Sequence, residues 1–186
     1  PTPSQDIEAV ICARPSLDVR RVSGWGTCKI YHDINKVREA ATEMLKDKER
    51  FKDCPNYQHD IADVVRQTLT DSTYYLIKDI AASYEKKDME AFKAQYTTFL
   101  GILGDLNRLL SQVGLFRLEK WTSSARNICD EVPGTTEADR DWMEWNARTL
   151  ITVWGPEQCA EKGKLHDYSS RQWGGMLNDF YLARWD

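Results

Sequence analysis

Residues 57–110 read YQHDIADVVRQTLTDSTYYLIKDIAASYEKKDMEAFKAQYTTFLGILGDLNRLL, and this stretch decides the fold. Ile61, Val64, Val65, Leu69, Leu76 and Ile80 recur at helical spacing, which predicts one long helix from about Tyr57 to Lys87. Asp88 is placed to cap a second helix. Its stripe is Met89, Phe92, Tyr96, Phe99, Leu103, Leu106 and Leu110. Two long helices joined this closely must run antiparallel, so the pattern predicts a helical bundle or array. Gly101 and Gly104 inside the second stripe cost helix propensity and would permit close helix contact. Asp60, Asp63 and Arg66 stand three apart on the first helix and can pair along one face.

The flanks read the same way. Asp33 is an N-cap for a helix with Ile34, Val37, Ala41, Met44 and Leu45 on one face, and Cys54-Pro55-Asn56 marks a loop. Beyond Gly114, Leu118 to Cys129 is a shorter amphipathic helix closed by Pro133-Gly134. Thr136 and Asp139 resemble a capping box with Asp in place of Glu. The helix they open is expected to carry Trp142, Trp145, Thr149 and Val153 inward and to stop at Gly155-Pro156. A polar loop over 157–164 follows. A last helix is expected from near Asp167, with Leu165, Tyr168, Trp173, Met176, Leu177, Phe180, Tyr181 and Trp185 on its stripe. At the other end, Ser4 to Asp6 can cap a short helix carrying Ile7, Val10 and Ile11, which Pro15 stops. No stretch alternates as a strand and no fixed repeat is present. The reading is all-α, about seven helices, several long and antiparallel, in one domain over residues 1–186. Residues 1–30 form a lead-in helix and loop, and residues 31–186 form the bundle.

Bulk properties narrow the function. A chain of 186 residues with 41% hydrophobic and 11% aromatic residues is globular rather than disordered. The net charge of −4 has both signs interspersed and no basic block, which argues against nucleic acid as a partner. No apolar run is long enough to span a bilayer. The first residues, Pro1-Thr2-Pro3, hold no initiating Met and no signal peptide, and Arg184-Trp185-Asp186 ends inside a helical pattern. Both ends read as those of a piece of a longer chain. Cys12, Cys28, Cys54, Cys129 and Cys159 are odd in number and widely spaced, so they read as small buried hydrophobes rather than a disulfide framework. His32, His59 and His166 make no ligand spacing, so no metal and no cofactor is expected.

The places left for ligand contact are aromatic. Trp25 lies between Gly24 and Gly26, where mobile backbone presents a large ring. Trp154 sits at the Gly155-Pro156 break, where a helix terminus exposes an aromatic. Glu157 is the acidic side chain beside that break. No nucleophile–base pattern and no phosphate loop is present. A glycosidase needs two carboxylates about 5–10 Å apart around the sugar, whereas the acids here sit mostly on solvated helix faces.

Three separated stretches carry a resemblance. Asn146-x-Arg148, Leu150 to Glu157 (LITVWGPE), Leu165-x-Asp167-Tyr168, Gln172-Trp173-x-Gly175, Tyr181 and Arg184-Trp185 resemble the C-terminal region of the alpha-N-acetylglucosaminidases. These are glycoside hydrolases of family 89, whose lysosomal member degrades heparan sulfate. Asp60 to Gln67 (DIADVVRQ) and Ala13-Arg14-Pro15-Ser16 are similar to two further segments of that family, in the same order. The resemblance implies an all-α domain that packs on a (β/α)₈ barrel of the same polypeptide. The barrel carries two catalytic glutamates acting by a retaining mechanism on glycans with terminal α-linked N-acetylglucosamine. Neither glutamate has a counterpart here, so catalytic residues are none in this chain, and the chain alone is expected to be inactive. The resemblance makes Trp25 and Trp154 the substrate-side candidates; Trp25 is kept from a family Trp-Tyr pair whose Tyr is replaced by Gly26. It also implies an extracytoplasmic location. The alternative is a stand-alone helical module that binds carbohydrate or protein.

Overall fold

The computed structural model describes residues 7–24, 26–155, 158 and 166–186. Regular structure among them is helical: α1 (Ile34–Lys46), α2 (Lys48–Phe51), α3 (Pro55–Glu85), α4 (Met89–Leu110), α5 (Leu118–Asn127), α6 (Glu137–Ile151) and α7. The last, α7, is a π-helical stretch, Leu177–Leu182, running on into an α-turn, Ala183–Trp185. Short 3₁₀ turns occupy Val10–Cys12, Gly114–Phe116 and Ile128–Glu131. Extended pairing among the described residues amounts to two isolated bridges, Ile7 with Thr27 and Arg117 with Gly174. The fold is all-α.

The α3–α4 hairpin is the frame. Pro55 occupies the first turn of α3, where its missing N–H is not needed, so helix replaces part of the loop expected at 54–56. At the far end Lys87 takes a left-handed turn (φ 59°), and the Asp88 carboxylate accepts from the Ala91 N–H at 3.0 Å. On α4, Phe99, Leu103, Leu106 and Leu110 are each 0% exposed, a stripe at four- and three-residue steps. The α3 stripe departs from expectation. Of the predicted positions only Ile80 is fully buried; Ala62, Thr70, Asp71, Thr73, Ile77 and Ser83 take the others. The cause is packing on several sides, since α1, α4 and the 3₁₀ turn at Val10–Cys12 all lie against α3. Polar residues inside it have partners: Thr73 donates to the Thr70 carbonyl (2.6 Å) and Gln67 to Asp71 (2.7 Å) within the helix, and Thr70 donates to the distant Gln172 (2.6 Å). Arg66 pairs with Asp63 as expected, but Asp60 pairs with His59.

The N-terminal stretch is core, not appendage. Residues 9–13 are all buried, in one cluster with Phe99, Leu103, Leu177, Tyr181 and Trp185. The Trp185 indole N–H donates to the Ile11 carbonyl at 3.0 Å and Arg184 donates to that of Cys12 at 3.2 Å. Val10–Cys12 forms a 3₁₀ turn instead of a longer helix, and Ile7 is exposed beside Thr27. Ser4 to Asp6 lie outside the described residues.

Helices α5 and α6 form a second hairpin around the Pro133-Gly134 turn, where Gly134 has φ 86°. The Thr136–Asp139 capping box is formed in both directions. Arg126 ties the hairpin through Asp141 (2.7 Å), Glu144 (3.1 Å) and Glu137. Trp142, Trp145 and Val153 do not point inward as expected; they are 59%, 61% and 38% exposed. Ala147 and Ile151 fill the inward positions. Among the described residues the helix meets one close neighbour along its length, α5, and that seam is occupied by the Arg126 cluster and by Trp121, whose indole donates to the Ala147 carbonyl at 2.9 Å. Gly101 and Gly104 face open space within this chain, not a helix as expected.

Cys12, Cys28 and Cys129 are buried free thiols, but Cys54 is exposed just ahead of α3. Cys159 lies outside the described residues. Burial pushes the Cys28 thiol up to about 12 and the Cys12 thiol further, so neither is a thiolate at neutral pH.

Candidate functional site

The Trp154 break is the most strained part of the described chain. Helix α6 ends at Ile151, and Trp154 has φ 70°, a conformation costly for a bulky side chain. Its N–H is satisfied by the Thr149 carbonyl at 2.8 Å, and its half-buried ring lies 5.0 Å from that of Tyr168. Asp167 (φ 53°) and Ser170 (φ 39°) follow on the returning segment. Three of the four left-handed non-glycine residues among the described residues thus cluster here, and such strain persists only where surrounding structure imposes it.

Asp167 is what imposes it. Its side chain is 1% exposed and meets Arg184 at 2.7 Å, His166 at 3.0 Å and Arg14 at 3.5 Å. Its N–H donates to the Thr152 carbonyl at 2.9 Å. One buried carboxylate therefore ties the segment after the break to the N-terminal stretch and to α7. The helix expected from near Asp167 is absent for this reason, and helical geometry resumes only at residue 176. Gly174 assists: a Cβ there would lie 2.6 Å from the Ser111 backbone nitrogen, while its own N–H donates to the Phe116 carbonyl at 2.7 Å.

Trp25, Pro156, Glu157 and residues 159–165 lie outside the described residues. The segment that carries Trp25 is defined on both sides of it. Glu8, 6% exposed, accepts from the Val22 N–H (2.7 Å), the Ser23 N–H (3.1 Å) and the Ser23 hydroxyl (2.5 Å). The Glu8 N–H donates to the Thr27 carbonyl at 2.8 Å, and the Gly26 N–H donates to the Ser23 hydroxyl at 3.2 Å. A cavity of about 460 Å³ separates this segment from the Asp167 network; Arg14, Arg20, Arg21, Val22, Gly24 and His166 line it. A larger groove of about 830 Å³ runs between the starts of α3 and α5, lined by His59, Asp60, Arg117 and Lys120. Among the described residues no three His, Cys, Asp or Glu side chains are grouped to hold a metal ion, and no helix is long and apolar enough to cross a membrane.

Sequence reasoning singled out Trp154 and missed Asp167 and Glu8 as the groups that shape its surroundings and those of Trp25. Asp167 had a signal. The quoted motif residues Arg14, Asp167 and Arg184, far apart in sequence, meet on one carboxylate. Glu8 had none, since one acid in an apolar stretch reads as solvated.

These features define an all-α domain with a strained aromatic rim. Residues 2–186 match the alpha-N-acetylglucosaminidase (NAGLU) C-terminal domain, and the chain belongs to that family. It is 26% identical over 168 residues to the alpha-N-acetylglucosaminidase of Homo sapiens, covering 90% of this chain and 21% of that protein. It superposes on the family 89 glycoside hydrolase from Clostridium perfringens in complex with PUGNAc with a TM-score of 0.91 and 33% identity, over 96% of this chain and 20% of that one. A doubly substituted form of that enzyme, in complex with its substrate GlcNAc-alpha-1,4-galactose, gives the same TM-score, identity and coverage. The chain thus spans about one fifth of the length of these glycoside hydrolases.

Proposed function

We propose that this chain is the helical wall of a glycosidase that removes terminal α-linked N-acetylglucosamine from glycans by a retaining mechanism. It packs against a (β/α)₈ barrel of the same polypeptide, and that barrel supplies both catalytic glutamates. The observation that carries the reading is the 33% identity over 96% of the chain to the Clostridium perfringens enzyme, whose complexes hold PUGNAc and a GlcNAc disaccharide. Trp25 is the sugar-facing platform, because aromatic faces pack on sugar C–H groups. Trp154, leaning on Tyr168, backs the rim and contacts the barrel more than the sugar. The exposed Trp142 and Trp145 give α6 an apolar outer face of the kind an inter-domain contact uses. An extracytoplasmic location goes with this reading, and cell fractionation checks it.

The test is an assay of the isolated chain against an aryl α-N-acetylglucosaminide, with calorimetric titration of N-acetylglucosamine. The reading expects neither hydrolysis nor binding at millimolar sugar. Hydrolysis would refute the division of labour, and binding would favour the stand-alone carbohydrate module.

A further inference from the structure

Glu8 is a charged side chain in the interior, and its bonds have one destination. Burying a carboxylate costs several kcal/mol unless donors replace water. Here the Val22 N–H, the Ser23 N–H and the Ser23 hydroxyl do so, all from the segment just before Trp25. The residue after Trp25 is fitted to the same group. A Cβ at Gly26 would lie 1.9 Å from the Glu8 Cδ and 2.3 Å from its Cγ, so only glycine lets the backbone pass. The Glu8 main chain then closes the segment through the Thr27 carbonyl. An apolar residue at position 8 would fill the space between Ala9 and Val22 and leave these donors unsatisfied.

We propose that Glu8 is a positioning residue: its buried carboxylate sets the backbone of residues 22–24 and 26–27, and so acts on Trp25 through the chain on either side of it. Its effect on turnover rests on the sugar-platform reading of Trp25; its effect on the segment does not. Glutamine at position 8 keeps the size but sets an N–H₂ group against donors. Alanine at position 26 reaches the same end from the other side, because it evicts the carboxylate.

Two measurements test this. In the indole ¹H–¹⁵N spectrum of the chain, seven tryptophans give seven signals, and Trp25→Phe identifies one of them. Glu8→Gln and Gly26→Ala should both move the Trp25 signal and leave the other six in place. A Trp25 signal unmoved in a folded Glu8→Gln chain overturns the proposal. Should Glu8→Gln unfold the chain, Glu8→Asp, which keeps the charge but draws the carboxylate back from its donors, gives the same test. In the complete glycosidase polypeptide, Glu8→Gln and Trp25→Ala should each raise KM about tenfold, the scale of a misplaced substrate contact. The double variant should be no worse than Trp25→Ala alone, since both remove one function. Additive losses, or an unaltered KM in Glu8→Gln where Trp25→Ala raises it, overturn it. Silent Trp25→Ala kinetics together with a displaced Trp25 signal would uphold the positioning role and remove the sugar-platform reading instead.

Discussion

The aromatic residues of this chain fall into two regions with opposite fates. In the core, Phe99, Tyr181 and Trp185 are 0%, 0% and 5% exposed. Phe99 and Trp185 meet edge to face at 4.7 Å, the Tyr96 hydroxyl donates to the Trp185 carbonyl, and the backbone is right-handed throughout. At the rim, Trp142, Trp145 and Tyr168 are more than half exposed, and Trp154 holds a left-handed backbone. The residue types and the helical spacing are alike. What differs is the neighbourhood. Core aromatics lie where α4, α7 and residues 9–13 converge, while rim aromatics lie on α6 and the segment after it, against which α5 is the closely packed helix among the described residues. Spacing tells which residues share a face; it does not tell whether a second element of the same chain covers that face.

The comparison can be broken most forcefully in the core. Phe99→Ala should cost about 3–5 kcal/mol of unfolding free energy; a loss below about 1 kcal/mol in urea titration would show that the core is elsewhere. Asp167→Ala strands Arg184, whose side chain is 16% exposed. It should cost about 3 kcal/mol, nearly as much as the core change although the residue sits beside the rim. By contrast Trp145→Gln should alter the stability of the isolated chain by less than about 0.5 kcal/mol and reduce its self-association in sedimentation. Equal losses from Trp145→Gln and Phe99→Ala would erase the distinction. Tyr181→Phe sharpens it from within the core. Among the described residues the buried hydroxyl has no oxygen or nitrogen partner and lies beside the Cys12 thiol, so its removal should be neutral within about 0.5 kcal/mol.

Acid should loosen the α5–α6 hairpin before the core. Arg148 and Arg126 hold the Glu144 carboxyl below its ordinary 4.5. A depressed folded pKa contributes stability that is complete above the unfolded value and is lost as pH falls through the folded one. The hairpin contribution should therefore be intact at pH 6 and decline below about pH 4.5, a trend that amide exchange in α6 against α4 would follow.

Much of this was legible in the sequence because it is local. Asp33, Asp88 and the Thr136–Asp139 box announced three helix starts, and the α4 stripe named four of the most buried residues. What was not legible is long-range. The buried face of α3 departs from its apolar stripe because three elements pack on it, and Trp142 and Trp145 face outward, which amphipathic spacing does not reveal because it leaves open which face is covered. The last helix was started too early because Asp167, a plausible N-cap by type, is held by Arg14 and Arg184, 153 residues away on one side and 17 on the other. Of the candidate site, Trp154 was found by its break, whereas Glu8 and Asp167 act through partners that only folding brings near.

We propose that this helical domain contributes Trp25 to a pocket whose chemistry lies on a barrel of the same polypeptide. Kinetics of Trp25→Ala in the complete polypeptide, on an aryl α-N-acetylglucosaminide, test it most directly. The account predicts a KM raised about tenfold with the melting temperature of the helical domain unchanged. An unaltered KM, or a loss confined to thermal stability, would contradict it.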